Sequence, residues 1–332
     1  MIDLYPRYKS GNGTLQPFLD AFTSVTDKKV LPFSCARAAM VFFLRVYGTT
    51  RMEEILVPPF LGGCVLSALT HTIFPSVRPS EKTTVIMVYH QFGFSQKIEA
   101  IQEVAKQKGW HILSNCSNTI SSRANGVSIL DWGDVSIVSF AKLFSTGLGG
   151  GLVTASQEVQ ERYRTATASN EVHGRWAQKA LSVIQSAHAT DMQTESMRLE
   201  IEGVYGYLPE IVAFPDAAAA SLPQDQSTLE TDFNRRKRLL GIAQDFFPDK
   251  IPDCKNTEVV PFAIPIRGNR ETLDRISKEI HNTLEYHAPV LHFDFACNML
   301  ASQYEPALVL GCHEEWDEEN FTRICRLIQN RL

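Results

Sequence analysis

The sequence predicts an α/β protein in which helices cover both faces of a mostly parallel sheet. Short runs rich in β-branched residues alternate with longer helical patterns through the first half of the chain, as is typical of parallel strands joined by crossover helices. Polar clusters follow the predicted strands rather than interrupting them, which is where open sheets of this kind bind ligands. A shorter tail, with two apolar runs and two helical patterns, predicts a small C-terminal α/β domain.

Each element of the first half follows from its local pattern. The segment 96–108 carries Ile98, Ile101 and Val104 at helical spacing and ends at Gly109, a residue typical of helix C-termini. The segment 83–89 is a run of Thr, Val, Ile and Met, which indicates a buried strand. In chain order, helices are predicted over 34–48, 63–72 and 96–108, and strands over 54–60, 83–89, 111–113 and 135–140.

The second half is more helical. An apolar run at 152–155 precedes a helical pattern that continues to about residue 204 and stops in a segment rich in Tyr, Gly and Pro. These patterns predict a large domain over residues 1–204 and a small domain over residues 205–332. Within the small domain, helices are predicted over 227–246, 270–286 and 317–331, and apolar strands over 259–266 and 307–311.

Composition narrows the class of protein. The 332 residues are 44% hydrophobic and 21% charged, as in ordinary water-soluble globular proteins, and the net charge of −5 gives no reason to expect nucleic acid or a membrane as a partner. The basic run 235–238 is interpreted as a solvated helix face. Seven scattered cysteines without a Cys-x-x-Cys pair predict reduced thiols and argue against a zinc site or a disulfide framework.

A cytoplasmic location is expected. The first residues lack the basic-then-apolar pattern of a signal peptide. The most apolar helical stretch, 38–47, is shorter than the roughly 18 residues that span a bilayer.

The segment 135–151 carries the strongest chemical signal. The apolar strand predicted over 135–140 carries Ser139 near its end, and Lys142 follows three residues after the serine, before a glycine run. Burying an ammonium without a partner costs several kcal/mol, whereas a desolvated lysine can form a Schiff base beside a phosphate held by the hydroxyl and the glycine amides. These features suggest a pyridoxal-phosphate site, although a solvated lysine before a glycine turn explains this segment equally well.

The spacing Ser139-x-x-Lys142 also matches the nucleophile motif of serine β-lactamases and penicillin-binding proteins. In those enzymes the serine begins a helix, and Ser-Asp-Asn and Lys-Thr-Gly elements follow. Here the motif is predicted to end a strand and neither companion follows, which disfavours this interpretation.

Six segments, in the same order along the chain, resemble motifs of the DegT/DnrJ/EryC1/StrS aminotransferases. These are pyridoxal-phosphate enzymes of the aspartate-aminotransferase fold that mostly act on keto-sugar nucleotides. The resemblance covers nearly the whole of a chain that looks short for the family. The matches are SCARAA at 34–39 with a Ser-Gly-Thr helix start, ILVPPF at 55–60 with VIVPAF, VYHQFG at 88–93 with VHLYG, GDVSIVSFAK at 133–142 with GDIGCFSFxxxK, YGYLPE at 205–210 with NYRMSE, and VLGCHEEWDEE at 309–319 with LPLHPGLSEED.

The resemblance implies a three-layer α/β/α large domain like that of pyridoxal-phosphate transferases, a small C-terminal domain, and a homodimer with the site at its interface. The implied reaction moves an amino group from an amino-acid donor, such as glutamate, to a keto-sugar nucleotide or a related carbonyl. Lys142 is implied as the Schiff-base lysine that also moves the proton. Ser139 and the backbone at Cys35 and Ala36 would bind the phosphate at a helix N-terminus, and Asn118 would contact the ring oxygen.

The departures from the family motifs leave the reaction open. Asn115 stands where the family has the aspartate that binds the pyridine nitrogen, Ala36 replaces a phosphate-contacting threonine, and Tyr205 replaces an asparagine donated across the dimer interface. The distance from Ser139 to Lys142 is also two residues shorter than in most members. Transamination, an elimination such as dehydration, and a catalytically reduced relative that only binds therefore remain alternatives.

Overall fold

A sheet of seven strands carries the first half of the chain in the computed structural model, which describes residues 2–168, 171–189, 203–204, 206–253 and 257–332. The strands named here, in chain order, are β1 (Val30–Phe33), β2 (Glu54–Leu56), β3 (Phe74–Ser76), β4 (Thr83–Tyr89), β5 (His111–Asn115), β6 (Arg123–Ala124), β7 (Val127–Ser128), β8 (Val135–Ser139), β9 (Gly150–Val153), β10 (Thr257–Glu258), β11 (Ala263–Arg267), β12 (Val290–Asp294) and β13 (Tyr304–Gly311).

Helices follow most of these strands. The helices named here are α1 (Leu15–Thr26), α2 (Ala36–Val46), α3 (Gly63–Leu69), α4 (Ile98–Lys108), α5 (Phe140–Leu143), α6 (Gln157–Ala168), α7 (Glu171–Ala189), α8 (Gln226–Phe246), α9 (Arg270–Leu284) and α10 (Glu318–Gln329).

The strand order in the large sheet is β1-β9-β8-β5-β4-β2-β3. Five adjacent strands, from β8 to β3, run parallel, whereas β9 runs antiparallel to both of its neighbours, β8 and β1. The carboxyl ends of β1, β2, β4, β5 and β8 therefore share one edge with the start of β9. The structure confirms the predicted α/β class and the mostly parallel sheet.

Helices pack on both faces of this sheet. Along β4, Val85 and Met87 face a core that includes α2, α3, α6 and α7, and Ile86 and Val88 face a second core that includes α1, α4 and α8. This alternation follows from the period of two in a strand, and a strand buried on both faces needs a continuous apolar run. The result is the predicted three-layer α/β/α arrangement.

The last part of the chain forms an antiparallel sheet with the order β11-β13-β12. Helix α9 packs on β12 and β13, and α10 lies against α8 and α9. The sequence patterns predicted two strands here and missed β12. The predicted division of the chain between residues 204 and 205 adjoins Tyr205, which lies outside the described residues.

Two sequence interpretations need correction. The basic run on α8 is not a solvated face at its centre, because Arg236 is only 2% exposed. Strand β8 ends at Ser139, one residue before the predicted end at residue 140, and Ser139 immediately precedes α5, so the Ser-x-x-Lys motif spans a strand end and one helical turn. Within the described ranges, no helix combines the length and the apolar character that crossing a membrane requires.

Candidate active site

A cavity of about 900 Å³ opens at the edge where the parallel strands end. The register brings these ends together, since Tyr89 pairs with Asn115 across β4 and β5, and Asn115 pairs with Ile137 across β5 and β8. All three of these residues line the cavity. Helices follow the strands at this edge and leave a crevice between them, which is the usual ligand position in an open α/β sheet.

Lys142 lies in the wall of this cavity. Strand β8 ends at Ser139, and the single helical turn of α5 carries the lysine to the cavity, where its Nζ is 3.4 Å from the Ser117 Oγ. Burial holds the pKa of Lys142 below its usual value; the thiol of Cys64 opposes this effect and the charge of Arg37 adds to it. A larger share of the side chain is therefore the uncharged amine, which is the form that attacks a carbonyl carbon.

The N-terminus of α2 lies on the same cavity. Cys35 precedes the helix and Ala36 is its first residue, both line the cavity with Ser139, and the first turn contains no acidic side chain. The free N–H groups and dipole of a helix N-terminus favour an anion. Gly150 lets β9 approach this turn, because a Cβ there would lie 2.7 Å from the Cys35 carbonyl carbon.

Asn115 ends β5 in the cavity wall and is 3% exposed. Its Oδ1 accepts a hydrogen bond from the Ser117 amide at 3.1 Å, and its Nδ2 lies 3.8 Å from the Met87 Sδ. The side-chain amide of Asn115 therefore stabilises the turn after β5 and leaves no negative charge at the strand end.

Asn118 does not line the cavity. Its Oδ1 accepts hydrogen bonds from the Tyr89 hydroxyl at 2.6 Å and from the Phe92 amide at 3.3 Å. Tyr89, in contrast, is a lining residue. Tyr89, and not Asn118, is thus the member of this hydrogen-bonded pair that lines the cavity.

His90 is a structural residue. The Gln96 amide donates to its Nδ1 at 3.3 Å, so its Nε2 carries the hydrogen and donates to the Ser114 Oγ at 3.0 Å. Burial lowers the pKa of His90 to about 3. The imidazole is neutral and fully buried, and it does not face the cavity.

The sequence interpretation missed the N-terminal segment, defined here as residues 2–9. Asp3, Tyr5, Pro6 and Arg7 of this segment line the cavity, but the segment has no regular periodicity that would have marked it. Arg37 was also missed. The signal was present, because Arg37 stands in the first turn of α2 directly before the apolar run 38–44.

Positive charge dominates the cavity. Arg7, Arg37 and Lys142 line it, against the single carboxylate of Asp3. Asp3 is itself engaged by His287, whose Nδ1 lies 2.8 Å from its Oδ1. The cavity therefore favours an anionic ligand.

These residues fit pyridoxal phosphate at two of its three recognition points. Lys142 offers a desolvated amine for the aldehyde, and Ser139, the start of α2 and Arg37 offer donors and positive charge for the phosphate. At the third point, the ring nitrogen, Asn115 can supply a hydrogen bond but no charge.

Residues 77–197 match the model of the DegT/DnrJ/EryC1/StrS aminotransferase family. A UDP-N-acetyl-3-dehydro-α-D-glucosamine 3-aminotransferase from Acidithiobacillus ferrooxidans is 25% identical over 130 residues, 38% of this chain and 34% of that protein. GDP-perosamine synthase from Escherichia coli O157:H7 is 32% identical over 85 residues, 25% of this chain and 23% of that protein. The chain thus matches about a third or less of the length of these two relatives.

The fold similarity extends much further. The structure of Spr1654 from Streptococcus pneumoniae in its PMP form, described as a sugar aminotransferase, superposes with a TM-score of 0.70 at 16% identity. The superposition covers 97% of this chain and 93% of the other, and the PLP form of the same protein gives a TM-score of 0.68. This similarity confirms the predicted fold.

Proposed function

We propose that this chain is an enzyme of the DegT/DnrJ/EryC1/StrS aminotransferase family, whose model matches residues 77–197, and that it uses pyridoxal phosphate to move an amino group from an amino-acid donor to a keto-sugar nucleotide or a similar carbonyl. One observation carries the proposal. Lys142, a lysine whose pKa burial lowers, faces the same cavity as Ser139 and the N-terminus of α2. A reactive amine beside an anion site is what this cofactor requires.

Each residue has a distinct task in this proposal. Lys142 would attach the cofactor and, once displaced by a donor amine, would be the group that moves the proton at the donor's α-carbon. Ser139, Cys35 and Ala36 would hold the phosphate, the latter two through their backbone, and Arg37 would supply the polar contact that Ala36 lacks. When bound, the cofactor supplies an electron sink for the bond cleaved at the α-carbon.

Asn115 and Asn118 complete the binding of the ring. Asn115 would meet the ring nitrogen and could donate a neutral hydrogen bond there. Asn118 would act through Tyr89, since it accepts the hydrogen bond of the Tyr89 hydroxyl and so fixes the side chain that would meet the ring oxygen.

The substrate class follows from the cavity charge and from the relatives. Two matched relatives are named for reactions on UDP- and GDP-linked sugars, and a cavity lined by the guanidinium groups of Arg7 and Arg37 suits such diphosphates. We further propose a cytoplasmic homodimer, with residues 1–204 as the large domain and 205–332 as the small one. The six described cysteines are free thiols, which supports that location.

Asn115 favours a second candidate, a relative with an altered or lost reaction. A neutral amide leaves the ring nitrogen without a carboxylate partner, which forgoes about 1.5–3 kcal/mol of charge-assisted hydrogen bonding. A weaker electron sink suits an elimination, or binding alone, better than a full transamination.

Absorbance of the purified protein with added pyridoxal phosphate tests the proposal. We expect a yellow band from lysine-bound cofactor, which borohydride converts into a stable pyridoxyl group on Lys142, and which a Lys142→Ala variant lacks. Because burial lowers the pKa of Lys142, the band should develop fully at a lower pH than the ordinary lysine value of about 10.4 requires.

The exposed Lys108 on α4 is the matched control, and Lys108→Ala should leave the band unchanged. A protein that stays colourless with excess cofactor, or that borohydride labels at lysines other than Lys142, contradicts the proposal. If the band forms but an amino-acid donor never discharges it, the second candidate is correct.

A further inference from the structure

Arg236 is a buried cation in the middle of the basic run on α8. It is 2% exposed, although its neighbours Lys237 and Arg238 form exposed ion pairs with Glu258 and Glu318. A charged guanidinium is buried only where its hydrogen-bond donors are satisfied. The groups that accept its hydrogen bonds therefore show which parts of the chain Arg236 connects.

The guanidinium joins three parts of the chain. Its Nε donates to the Asp232 Oδ2 at 2.6 Å, its Nη2 to the carbonyl of Leu143 at 2.8 Å, and its Nη1 to the carbonyl of Pro261 at 3.4 Å. Leu143 follows Lys142 and is the last residue of α5. Arg236 thus contacts the backbone of the turn that carries the candidate catalytic lysine.

Asp232 links this contact to the C-terminal sheet. Its other oxygen, Oδ1, accepts from the Arg235 Nη2 at 2.5 Å, and Arg235 donates in turn to the carbonyls of Cys312 at 2.8 Å and His313 at 2.7 Å. Cys312 and His313 follow β13. A single carboxylate therefore holds two guanidinium groups of α8: Arg236, which also contacts Leu143 and Pro261, and Arg235, which contacts the residues that follow β13.

Helix α5 needs such external contacts. It has four residues and no side-chain cap at its N-terminus, and so short a helix is unstable by itself. At its start, the Phe140 and Ala141 amides donate to the carbonyl of Gly149 at 3.0 and 3.3 Å. At its end, Arg236 places a positive charge on a terminal carbonyl, where the helix dipole favours a cation.

We propose that Arg236 is a positioning residue for Lys142, which it holds in the cavity wall by fixing the end of α5 against α8. The inference rests on the proposed function of Lys142. Through Asp232 and Arg235, the same contact makes the position of the lysine depend on the loop after β13. Arg236 does not line the cavity and takes no part in proton transfer.

The test compares Arg236→Gln and Arg236→Lys with Leu240→Ala, a control that also lowers the free energy of unfolding. Leu240 is buried one turn further along α8, and its removal destabilises the protein without touching Leu143. The first readout is the rate at which pyridoxal phosphate attaches to Lys142, measured by absorbance below the unfolding temperature of every variant. We expect Arg236→Gln to slow attachment about tenfold, Arg236→Lys to restore part of the rate, and Leu240→Ala to match the parent protein.

The second readout needs no cofactor. Acetylation of Lys142 is followed by mass spectrometry across pH, with the exposed Lys108 as internal standard. The groups that bear on Lys142 are Arg37, Cys64 and Ser117, and none of them changes in these variants. Because burial is the main cause of its low pKa, a loosened turn should move the labelling midpoint of Lys142 to higher pH.

Two results would overturn the positioning role: equal effects of Leu240→Ala and Arg236→Gln, or no effect of Arg236→Gln on either readout. If the parent protein never attaches the cofactor, the proposed function fails, and the labelling midpoint still decides whether Arg236 fixes Lys142.

Discussion

The residue at the end of β5 determines how strongly the cavity can withdraw electrons from a bound ring. Asn115 is almost fully buried, and its Oδ1 already serves the Ser117 amide. A carboxylate at this position would keep that hydrogen bond and add a charge facing a cavity lined by cations. The turn after β5 would accept either side chain, so asparagine and aspartate differ here mainly in the charge that they bring to the cavity.

We predict that Asn115→Asp raises the rate of transamination by roughly tenfold or more, because the carboxylate keeps the ring nitrogen protonated. The same variant should be less stable without cofactor, because the new charge is buried. Turnover with glutamate and a keto-sugar nucleotide, together with urea unfolding of the cofactor-free protein, measures the two effects.

Asn118→Asp is the matched control, since it makes the same chemical change behind Tyr89 and outside the cavity. It retains acceptors for the Tyr89 hydroxyl and the Phe92 amide, so turnover should not rise. An equal gain from both variants, or a loss from Asn115→Asp, would show that the ring nitrogen does not meet Asn115.

Among single residues, the sequence predicts best those that lie at the ends of strands and helices. Lys142, Ser139, Asn115, Cys35 and Ala36 line the cavity as their places at strand and helix ends suggested. Whether they bind a cofactor stays a prediction.

Two side chains could not be placed from their neighbours in sequence. Asn118 lies behind Tyr89 because the chain turns after β5, and Arg236 is buried because partners 93 and 25 residues away in sequence cover it. Contacts between residues so far apart in sequence cannot be predicted from a local sequence pattern.

At the scale of elements, β8, α5 and β9 form one unit that holds the lysine. Because β9 runs antiparallel to β8, the connection from Lys142 returns directly to the cavity through Gly147, Leu148 and Gly149. Gly150 then begins β9 against the start of α2. The close approach of β9 to that turn is what brings the anion site and the lysine together.

We predict that Gly150→Ala destabilises the protein by about 2 kcal/mol or more, because the added methyl group meets the backbone of Cys35 and Ala36, which cannot move aside without shifting α2. Urea unfolding measures the change. Attachment of pyridoxal phosphate should weaken in the same variant.

Gly241→Ala provides the comparison. Gly241 lies inside α8 with open space around it, so an alanine there should increase the free energy of unfolding by up to about 1 kcal/mol. If Gly150→Ala is as stable as Gly241→Ala, then β9 does not press against α2 as described.

Periodic elements were predicted closely, and irregular ones were missed. Strand β4 and helices α2, α4 and α8 match their predicted positions to within about two residues at most ends. Strand β1 contains Pro32, which argues against a central strand, and the structure resolves this conflict by placing β1 at the sheet edge. Strand β12 is partly exposed and follows directly after a proline, so it lacked a continuous apolar run.

At the scale of the whole molecule, the N-terminal segment joins the cavity to the C-terminal sheet. The backbone carbonyl of Asp3 accepts hydrogen bonds from the His313 Nε2 at 2.8 Å and the Trp316 Nε1 at 3.0 Å. Further along, the Lys9 amide donates to the Ser145 carbonyl, and its side chain pairs with Glu314. The segment thus spans both parts of the chain while Asp3, Tyr5 and Arg7 line the cavity.

We predict that Trp316→Phe lowers the free energy of unfolding by about 1–3 kcal/mol, since it removes one donor to the Asp3 carbonyl and some buried volume. Hydrogen exchange of the amides in residues 2–9 should accelerate. Mass spectrometry of exchanged peptides, with urea unfolding alongside, makes the measurement.

Tyr286→Phe is the control within the same aromatic cluster. Its hydroxyl donates to the Glu315 carbonyl at 3.3 Å and makes no contact with the Asp3 carbonyl. Exchange in residues 2–9 should then match the parent protein. Unchanged exchange in Trp316→Phe would mean that the segment is held by other contacts.

The antiparallel course of β9 also bears on the order in which the site is assembled during folding. The hairpin of β8 and β9 joins residues that are close in sequence, whereas β1 pairs with β9 across more than a hundred residues. Closing so long a loop is entropically costly and slow. We therefore expect the lysine turn to form before α2 docks beside it, so that anion binding is acquired only when the chain has closed.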